Sequence, residues 1–375
     1  MATIPEYGFG RFLWGFSVGR GDGRVVCLPR CTGLSGGGKA GGIMFWGSSA
    51  MSLINRLPMI PASFFGIVLG TAGIATDWRI AHAIWGLPAI IGDLLFGAAA
   101  LIWAIVVLLY AIKWVIALEQ ARAEAEHAIQ CCFIGLGGVA TLLVAQAALH
   151  YSRALALPLF WLGALFTLGF ALWRTGRLWR GGRELGATTP VLYLPTVAGG
   201  FVAGNTAAQL GWPEWGQLAF GAALFSWLAI ESVLLYRLYS APPMPPALRP
   251  TLGIQLAPPA VGASAYLAVG PGQVDVFANA LIGYALLQAL LLLRLWRWIG
   301  EQPFTPSYWA FTFGATSLAG AVLRLSEQPH GGALAVLAPP VFIAANLLLV
   351  FVTIGTLRLA VRGELLGSKP TPPSA

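Results

Sequence analysis

Long apolar stretches recur along the whole chain and constrain its fold more than any other feature. Ten such stretches have roughly 20 residues each, the length that crosses a hydrocarbon core of about 30 Å. Because a bilayer offers no water to unpaired backbone groups, such stretches form helices. The sequence predicts an all-α integral membrane protein with ten transmembrane helices. They begin near Ala62, Trp85, Ala128, Ala154, Thr189, Trp215, Thr251, Val274, Tyr308 and Ala333.

The composition agrees with a membrane protein. Of 375 residues, 57% are hydrophobic and 10% are charged, with a mean hydropathy of +0.75. Soluble domains carry about 25% charged residues. We predict one transmembrane channel domain over residues 57–362, after a flexible, Gly-rich, basic tail at residues 1–56 and before a short cytoplasmic tail at 363–375. Met44 and Met51 are alternative starts of the chain.

The basic residues predict the orientation, because Lys and Arg are retained in cytoplasmic loops. With both termini cytoplasmic, every Lys and Arg falls on the inner side except Arg79, Arg153 and Arg324, which fall in outer loops. The net charge of +8 then reflects topology and contact with lipid headgroups rather than nucleic acid. We predict a protein of the bacterial inner membrane.

Motifs for enzymatic or metal chemistry are weak. Residues 33–40 match the phosphate-binding pattern G-x-x-x-x-G-K, but Ala40 replaces the Ser or Thr that would ligate Mg²⁺. The four cysteines make no disulfide framework, and the histidines have no metal-ligand spacing. We expect no cofactor, no metal and no enzymatic activity, and we keep a membrane-embedded enzyme or non-conducting scaffold as the weaker alternative. The histidines are His82, His127, His150 and His330.

A repeat of roughly 60 residues runs through the spans. The odd-numbered spans contain stretches rich in small residues and free of Asp, Glu, Lys and Arg, whereas the even ones carry bulky runs such as LIWAIVVLLY at 101–110. Small residues let helices approach closely. We predict five helical hairpins, with odd helices around a central pore and even helices facing lipid. The odd stretches are PASFFGIVLGTAGIA from Pro61, CCFIGLGGVATLLVA from Cys131, PVLYLPTVAGGFVAG from Pro190, PTLGIQLAPPAVGASAYLAV from Pro250 and PSYWAFTFGATSLAGAV from Pro306.

Prolines inside the odd spans predict kinks. Pro195, Pro258 and Pro259 each remove a backbone hydrogen bond, and the freed carbonyls are tolerated where they face protein or a water-filled cavity. The candidates for the pore lining or the kinks are Phe64, Gly66, Pro195, Pro258 and Gly314.

Two carboxylates fall within even spans, Asp93 and Glu231. Charge at that depth is costly and often functional. We interpret both as packing groups hydrogen-bonded to inner helices, with proton carriage as the alternative. Asp275 is predicted to cap the eighth helix.

Several stretches resemble the tellurite-resistance protein TehA and its relatives, the plant guard-cell slow anion channels and the fungal malate and sulfite transporters. The resemblance covers the region from about Leu57 to Arg362. The matching stretches are PASFFGIVLG at 61–70, Gly92 with Asp93, YLPTVA at 193–198, Ile230 with Glu231 and VLL at 233–235, GIQLAP at 253–258, SAYL at 264–267, and WAFTFG at 309–314.

The resemblance implies a homotrimer with one pore per subunit, anion conduction, and a pore plugged by the Phe313 ring. An aromatic ring can close a narrow apolar constriction and swing between rotamers, and Gly314, Ala315 and Gly320 leave room for such movement. Phe311 lies about 200° around the helix from Phe313, so we expect it to pack between helices.

The predicted function is passive conduction of small inorganic or organic anions through a Phe-gated pore. Tellurite resistance is one activity that the resemblance suggests. The alternative is a proton-coupled carrier that exports dicarboxylates, sulfite or toxic compounds such as tellurite and cationic drugs, with Asp93 or Glu231 binding the proton.

Overall fold

The computed structural model describes residues 58–270, 272, 275–328 and 332–366. Within these residues the chain is helical and has no strand. The N-terminal tail with its motif at 33–40, and His330, lie outside the described residues. The α-helices are α1 (Phe65–Trp85), α2 (Ala89–Ile116), α3 (Leu118–Glu126), α4 (Leu136–Leu149), α5 (Arg153–Leu178), α6 (Gly199–Gln209), α7 (Pro213–Ser240), α8 (Ala257–Val269), α9 (Val276–Ile299), α10 (Thr312–Ser326) and α11 (Gly332–Val361).

Helical segments begin within a few residues of every predicted span start. Seven of them are long and apolar enough to cross a membrane, which confirms a helical membrane protein with several spans. The seven are Ala89–Ile116, Gln130–Leu149, Arg153–Leu178, Pro213–Ser240, Pro246–Val269, Val276–Ile299 and Gly332–Val361. Among the other three predicted spans, α1 carries Asp77 and Arg79, and α6 and α10 have only 11 and 15 residues. The count of ten stays a prediction.

Burial divides the spans into two kinds. The segments Gln130–Leu149 and Pro246–Val269 are 78% and 83% buried within the protein, whereas the five other apolar spans are between 22% and 33% buried. The poorly buried helices expose large apolar side chains such as Leu94, Leu165, Phe225 and Leu293. Such a surface is suited to contact with lipid, because soluble proteins rarely expose contiguous apolar patches of this size to water.

The buried helices form a closed ring. Helix α1 packs against α4, α4 against α6, α6 against α8, α8 against α10, and α10 against α1. Glycines allow close helix packing: a methyl group added at Gly73 of α1 would lie 2.1 Å from the Thr316 hydroxyl of ring helix α10, and one at Gly138 of α4 would lie 2.2 Å from the Thr167 hydroxyl of outer helix α5. Helices α2, α5, α7, α9 and α11 each pack on the ring helix that precedes them along the chain.

Each ring helix is preceded by a tighter helical segment. These segments are Ala62–Phe64, Gln130–Gly135, Pro190–Leu192, Pro246–Leu256 and Pro306–Phe311, all of the 3₁₀ type. Pro195 lies in a further π-helical turn, Leu194–Ala198, and Pro258 lies in the first turn of α8. Proline is well tolerated in a first turn, where its missing N–H has no partner in any case. The irregular backbone therefore falls at the predicted prolines. It lies in these short segments before the ring helices, which we call the entry turns, rather than within long α-helices.

Two of the smaller predictions are confirmed. The Asp275 side chain accepts a hydrogen bond of 2.7 Å from the Ala278 N–H and caps α9. This bond, together with one from the Tyr266 hydroxyl, lowers the pKa of Asp275. Phe311 is buried against Trp296 and Tyr308, with ring centroids 5.8 and 6.0 Å away.

Candidate functional site

A cavity of about 220 Å³ opens among the entry turns and first halves of the ring helices. We call it the wide cavity. Every ring segment contributes to its wall, through Gly66, Leu136, Val197, Pro258 and Phe313 among others. The residues that line it include no Asp, Glu, Lys, Arg or His within the described part of the chain. An ion in this cavity would meet an uncharged and mostly apolar wall.

A second cavity, of about 50 Å³, lies among the later halves of the same five helices. We call it the polar cavity, because its wall includes Asp77, Gln146, Asn205, Ser264 and Thr316, one from each ring helix. Two side chains line both the wide and the polar cavity, Phe313 and Val261. The Phe313 ring therefore lies at the boundary between them.

A third, more open depression of about 540 Å³ continues from the polar cavity. We call it the mouth. It shares Thr76, Gln146 and Arg324 with the polar cavity, and its wall adds Arg79 and His150. Along α10, Phe313 and Arg324 are three helical turns apart. The three cavities thus follow one another inside the ring, and the cationic groups lie at the mouth end.

The predicted lining residues occupy different positions. Gly66, Pro258 and Phe313 line the wide cavity. Pro195 instead lines a lateral groove with residues of α5 and α7, and Phe64 is buried in the core outside the wall of the wide cavity. The space beside Gly314 is occupied, since an added methyl group would lie 2.9 Å from Leu256.

The space beside Gly320 is occupied too, because a methyl group there would lie 2.6 Å from the Asp77 carboxylate. These two glycines therefore allow close helix packing.

Asp93 lies near the start of α2, half-exposed. Its carboxylate forms an ion pair of 2.8 Å with Arg79 of α1 and accepts a hydrogen bond of 2.9 Å from the Tyr151 hydroxyl. Partial burial and the bond to Asp93 raise the pKa of Tyr151 above its usual value. Asp93 thus holds Arg79 beside the mouth, and it is not among the residues that line the polar or the wide cavity.

Glu231 is buried on α7, and its carboxylate accepts four hydrogen bonds. Trp227 donates from 3.0 Å, Gln255 from 3.1 Å and Tyr284 from 2.6 Å, and the Tyr193 hydroxyl also donates. These donors come from α7, α9 and the entry turns of two ring helices. Through these four donors the Glu231 carboxylate ties the outer helices to the ring.

The sequence reasoning placed Arg79 and Arg324 in outer loops, and this was wrong: they lie in α1 and α10. It also passed over Asp77, which is 1% exposed. A sequence signal existed, since Gly70, Gly73 and Asp77 recur at helical spacing on one face of α1. That face meets α10, where Thr312, Thr316 and Gly320 contact them in turn.

The fold and the cavities define a helical membrane protein with a line of cavities inside a ring of five helices. The family model SLAC1, voltage-dependent anion channel, matches residues 59–357. The chain therefore belongs to this family of membrane anion channels and transporters.

Three relatives illustrate the family. A tellurite resistance protein TehA homolog of Haemophilus influenzae is 33% identical over 315 residues, which is 84% of this chain and 94% of the relative. The S-type anion channel SLAH1 of Arabidopsis thaliana is 24% identical over 340 residues, 85% of this chain and 88% of the relative. The S-type anion channel SLAH2 of the same plant is 23% identical over 305 residues, 78% of this chain and 57% of the relative.

Proposed function

We propose that this protein conducts small anions passively through a pore inside the ring of five helices, and that the Phe313 ring closes the pore. One observation carries the proposal: Phe313 lines both the wide and the polar cavity. A ring at that boundary blocks ions by filling the constriction and excluding water from it. A change of its rotamer would join the cavities.

The charges support anions over cations. The wall of the wide cavity carries no charged side chain among the described residues, so it holds no ion tightly. Arg324 lines the mouth together with Arg79, which is paired with Asp93, and no Asp or Glu is among the described residues of its wall. A cleft with an excess of one sign of charge raises the local concentration of its counter-ions. The names of the relatives, S-type anion channel and tellurite resistance protein, agree with small anions and oxyanions as substrates.

The proposal includes a membrane arrangement. Ten segments cross the bilayer as five hairpins of one ring helix and one outer helix each, with both termini in the cytoplasm, in a bacterial inner membrane. The distribution of Lys and Arg supports this orientation. Three copies assemble, each with its own pore, as the family resemblance implies. Asp93 and Glu231 serve as packing groups in this arrangement, as their hydrogen bonds suggest.

The test is anion current through purified protein in planar bilayers, for the wild type beside Phe313→Ala. We expect the variant to raise chloride and nitrate current at least tenfold, with a dicarboxylate measured next. Phe311→Ala is the matched control, since that ring packs outside the path and its loss should not open the pore. Equal and negligible currents in wild type and Phe313→Ala would contradict the proposal that the Phe313 ring closes the pore.

A coupled carrier is the second candidate, and one observation favours it: a buried carboxylate, Asp77, lines the polar cavity. This role would fall to Asp77 rather than to Asp93 or Glu231, which do not line the wide or polar cavity. Uptake of a dicarboxylate or sulfite driven by a pH gradient in vesicles, abolished by Asp77→Asn, would support the carrier. Flux that ignores the pH gradient would support the channel.

A further inference from the structure

Opposite charges meet in the polar cavity without pairing to each other. Asp77 reaches it from α1 and Arg324 from α10. The ion pairs among the described residues are Arg79 with Asp93, Lys113 with Glu124, and Arg249 with Glu301. Asp77 and Arg324 are close enough to interact electrostatically, yet they do not form a direct ion pair.

The Asp77 carboxylate has an unusual environment. Its Oδ2 atom is buried and has no hydrogen-bond partner among the described residues. Its Oδ1 atom lies against the backbone of Gly320. A buried acceptor without a donor costs about 1 to 3 kcal/mol, and more when it is charged. A carboxylate that serves only to pack α1 on α10 would be expected to have a donor from the protein, as Glu231 does.

Other polar side chains of the polar cavity already form hydrogen bonds with protein groups. Gln146 donates to Thr206 at 2.8 Å, and the amide oxygen of Asn205 accepts from Gln209 at 2.7 Å. The Thr316 hydroxyl donates back to its own helix. The Asn205 amide nitrogen is not used in its bond to Gln209, so the wall offers a neutral donor beside the two charged groups.

We propose that Asp77 and Arg324 form a binding site for a small oxyanion that still carries one acid proton, such as hydrogencarbonate or hydrogensulfite. The inference rests on the proposed anion pathway, because the ligand reaches the site through the mouth. The Arg324 guanidinium donates to the anionic oxygens of the ligand. In its ionised form the Asp77 carboxylate can only accept, and it takes the hydrogen of the ligand hydroxyl.

Size and chemistry both restrict the ligand. The polar cavity of about 50 Å³ suits a group of a few heavy atoms, since a single water needs about 10–15 Å³ of such cavity volume. Chloride and nitrate have no hydrogen to give, so they would meet an unsatisfied carboxylate. A site that is built to hydrogen-bond a ligand hydroxyl discriminates strongly against ligands that lack it. Asp77 is thus a specificity-determining residue and Arg324 an anion-binding residue.

The test compares the permeabilities of two ions rather than the size of the total current. In the Phe313→Ala background, reversal potentials give the permeability of hydrogencarbonate relative to chloride. We expect Asp77→Ala to lower this ratio about tenfold, the effect of one lost hydrogen bond to a charged group, while chloride current stays equal or rises. Arg324→Gln should lower both permeabilities. Ser232→Ala, a similar small change on the exposed face of α7, is the control and should leave the ratio unchanged.

A binding measurement keeps the inference testable if no current is found. Hydrogencarbonate should raise the melting temperature of the purified wild-type protein above its value in the same concentration of chloride. Asp77→Ala should remove that difference. If hydrogencarbonate stabilises the protein but no variant conducts, the site stands and the channel proposal fails. An unchanged permeability ratio in Asp77→Ala, or an equal melting temperature in both salts, would overturn the site.

Discussion

Phe313 of α10 and Val261 of α8 line both cavities that lie inside the ring of helices. The two side chains are buried, at 9% and 4% exposure, and they come from adjacent ring helices. In the proposed channel, the constriction therefore consists of the Phe313 ring and the smaller branched side chain of Val261. This division suggests that the width at position 261 limits conduction once the ring is removed.

The first prediction concerns the size of these two residues. Phe313→Leu should give a current between those of the wild type and Phe313→Ala, because leucine fills only part of the constriction. Adding Val261→Phe to Phe313→Ala should return the current to near the wild-type level. Val350→Phe, on the exposed face of α11, is the matched control and should have no effect. A Phe313→Ala current that is indifferent to Val261→Phe would show that ions bypass this point.

The second prediction concerns the contact between α1 and α10. A methyl group at Gly73 would lie 2.1 Å from the Thr316 hydroxyl and 2.9 Å from its Cβ atom. Gly73→Ala should destabilise the protein by about 1 to 3 kcal/mol, as overpacked cores do, and Thr316→Gly should restore part of this loss. Gly97→Ala on lipid-facing α2 has open space around it and should be neutral in thermal unfolding in detergent. Equal melting temperatures for Gly73→Ala and Gly97→Ala would contradict the close approach.

How much of this was predictable is clearest from the residues of α10. Helical geometry alone predicted that Phe311 and Phe313 face different directions, because two residues span about 200°. Phe311 is indeed a packing residue. The span starts and the division into small-residue and bulky helices followed from hydropathy and residue size. These are local properties, so one sequence was enough to find them.

The rest depended on contacts between distant segments. The sequence analysis placed Arg324 in an outer loop and gave Asp77 no role, whereas α10 and α1 continue through these residues. A sequence does not show that a charged side chain faces a cavity rather than water. The tight entry turns were also hidden, since they depend on tertiary contacts such as the Phe311 ring against Gly253, where an added methyl group would lie 2.6 Å away.

The third prediction separates packing from proton carriage at Glu231. Replacing this residue by leucine should leave the Tyr193, Gln255 and Tyr284 donors without their acceptor. We expect a loss of at least about 2 kcal/mol and a lower melting temperature. Glu231→Gln keeps an acceptor and should cost less, while its anion current in the Phe313→Ala background stays unchanged. Loss of pH-driven flux in Glu231→Gln, with normal folding, would instead identify a proton carrier.

The fourth prediction concerns pH. The Ala278 N–H and the Tyr266 hydroxyl favour the charged form of Asp275 and lower its pKa in the folded protein. Its stabilising effect is therefore complete above the ordinary pKa of 3.8 and is lost as the pH falls through the lower folded value. Asp275→Ala should cost about 1 kcal/mol at neutral pH, as lost helix caps do. Below about pH 4 the melting temperatures of wild type and variant should converge, and a constant gap down to pH 2 would contradict this.

The last prediction concerns the buried ion pair of Lys113 and Glu124, whose side chains are 7% and 8% exposed. Glu124 also accepts a hydrogen bond of 2.8 Å from the Ala62 N–H, and Lys113 donates to the Ile60 carbonyl at 3.2 Å. The pair thus holds the start of the segment Ala62–Phe64 that precedes α1, next to the wide cavity. Removing one partner leaves a buried charge alone, which costs about 3 to 5 kcal/mol, whereas removing both is often tolerated.

Lys113→Met and Glu124→Gln should therefore each destabilise the protein strongly, and the double variant should be more stable than the sum of the two losses allows. The pair of Arg249 and Glu301 is the comparison, because its acidic partner is exposed: the Glu301 side chain is 59% exposed, against 11% for Arg249. Glu301→Gln should cost less than about 1 kcal/mol, since water can replace the lost partner. Melting temperatures of all four variants measure both effects, and strictly additive losses at 113 and 124 would show that the two charges do not depend on each other.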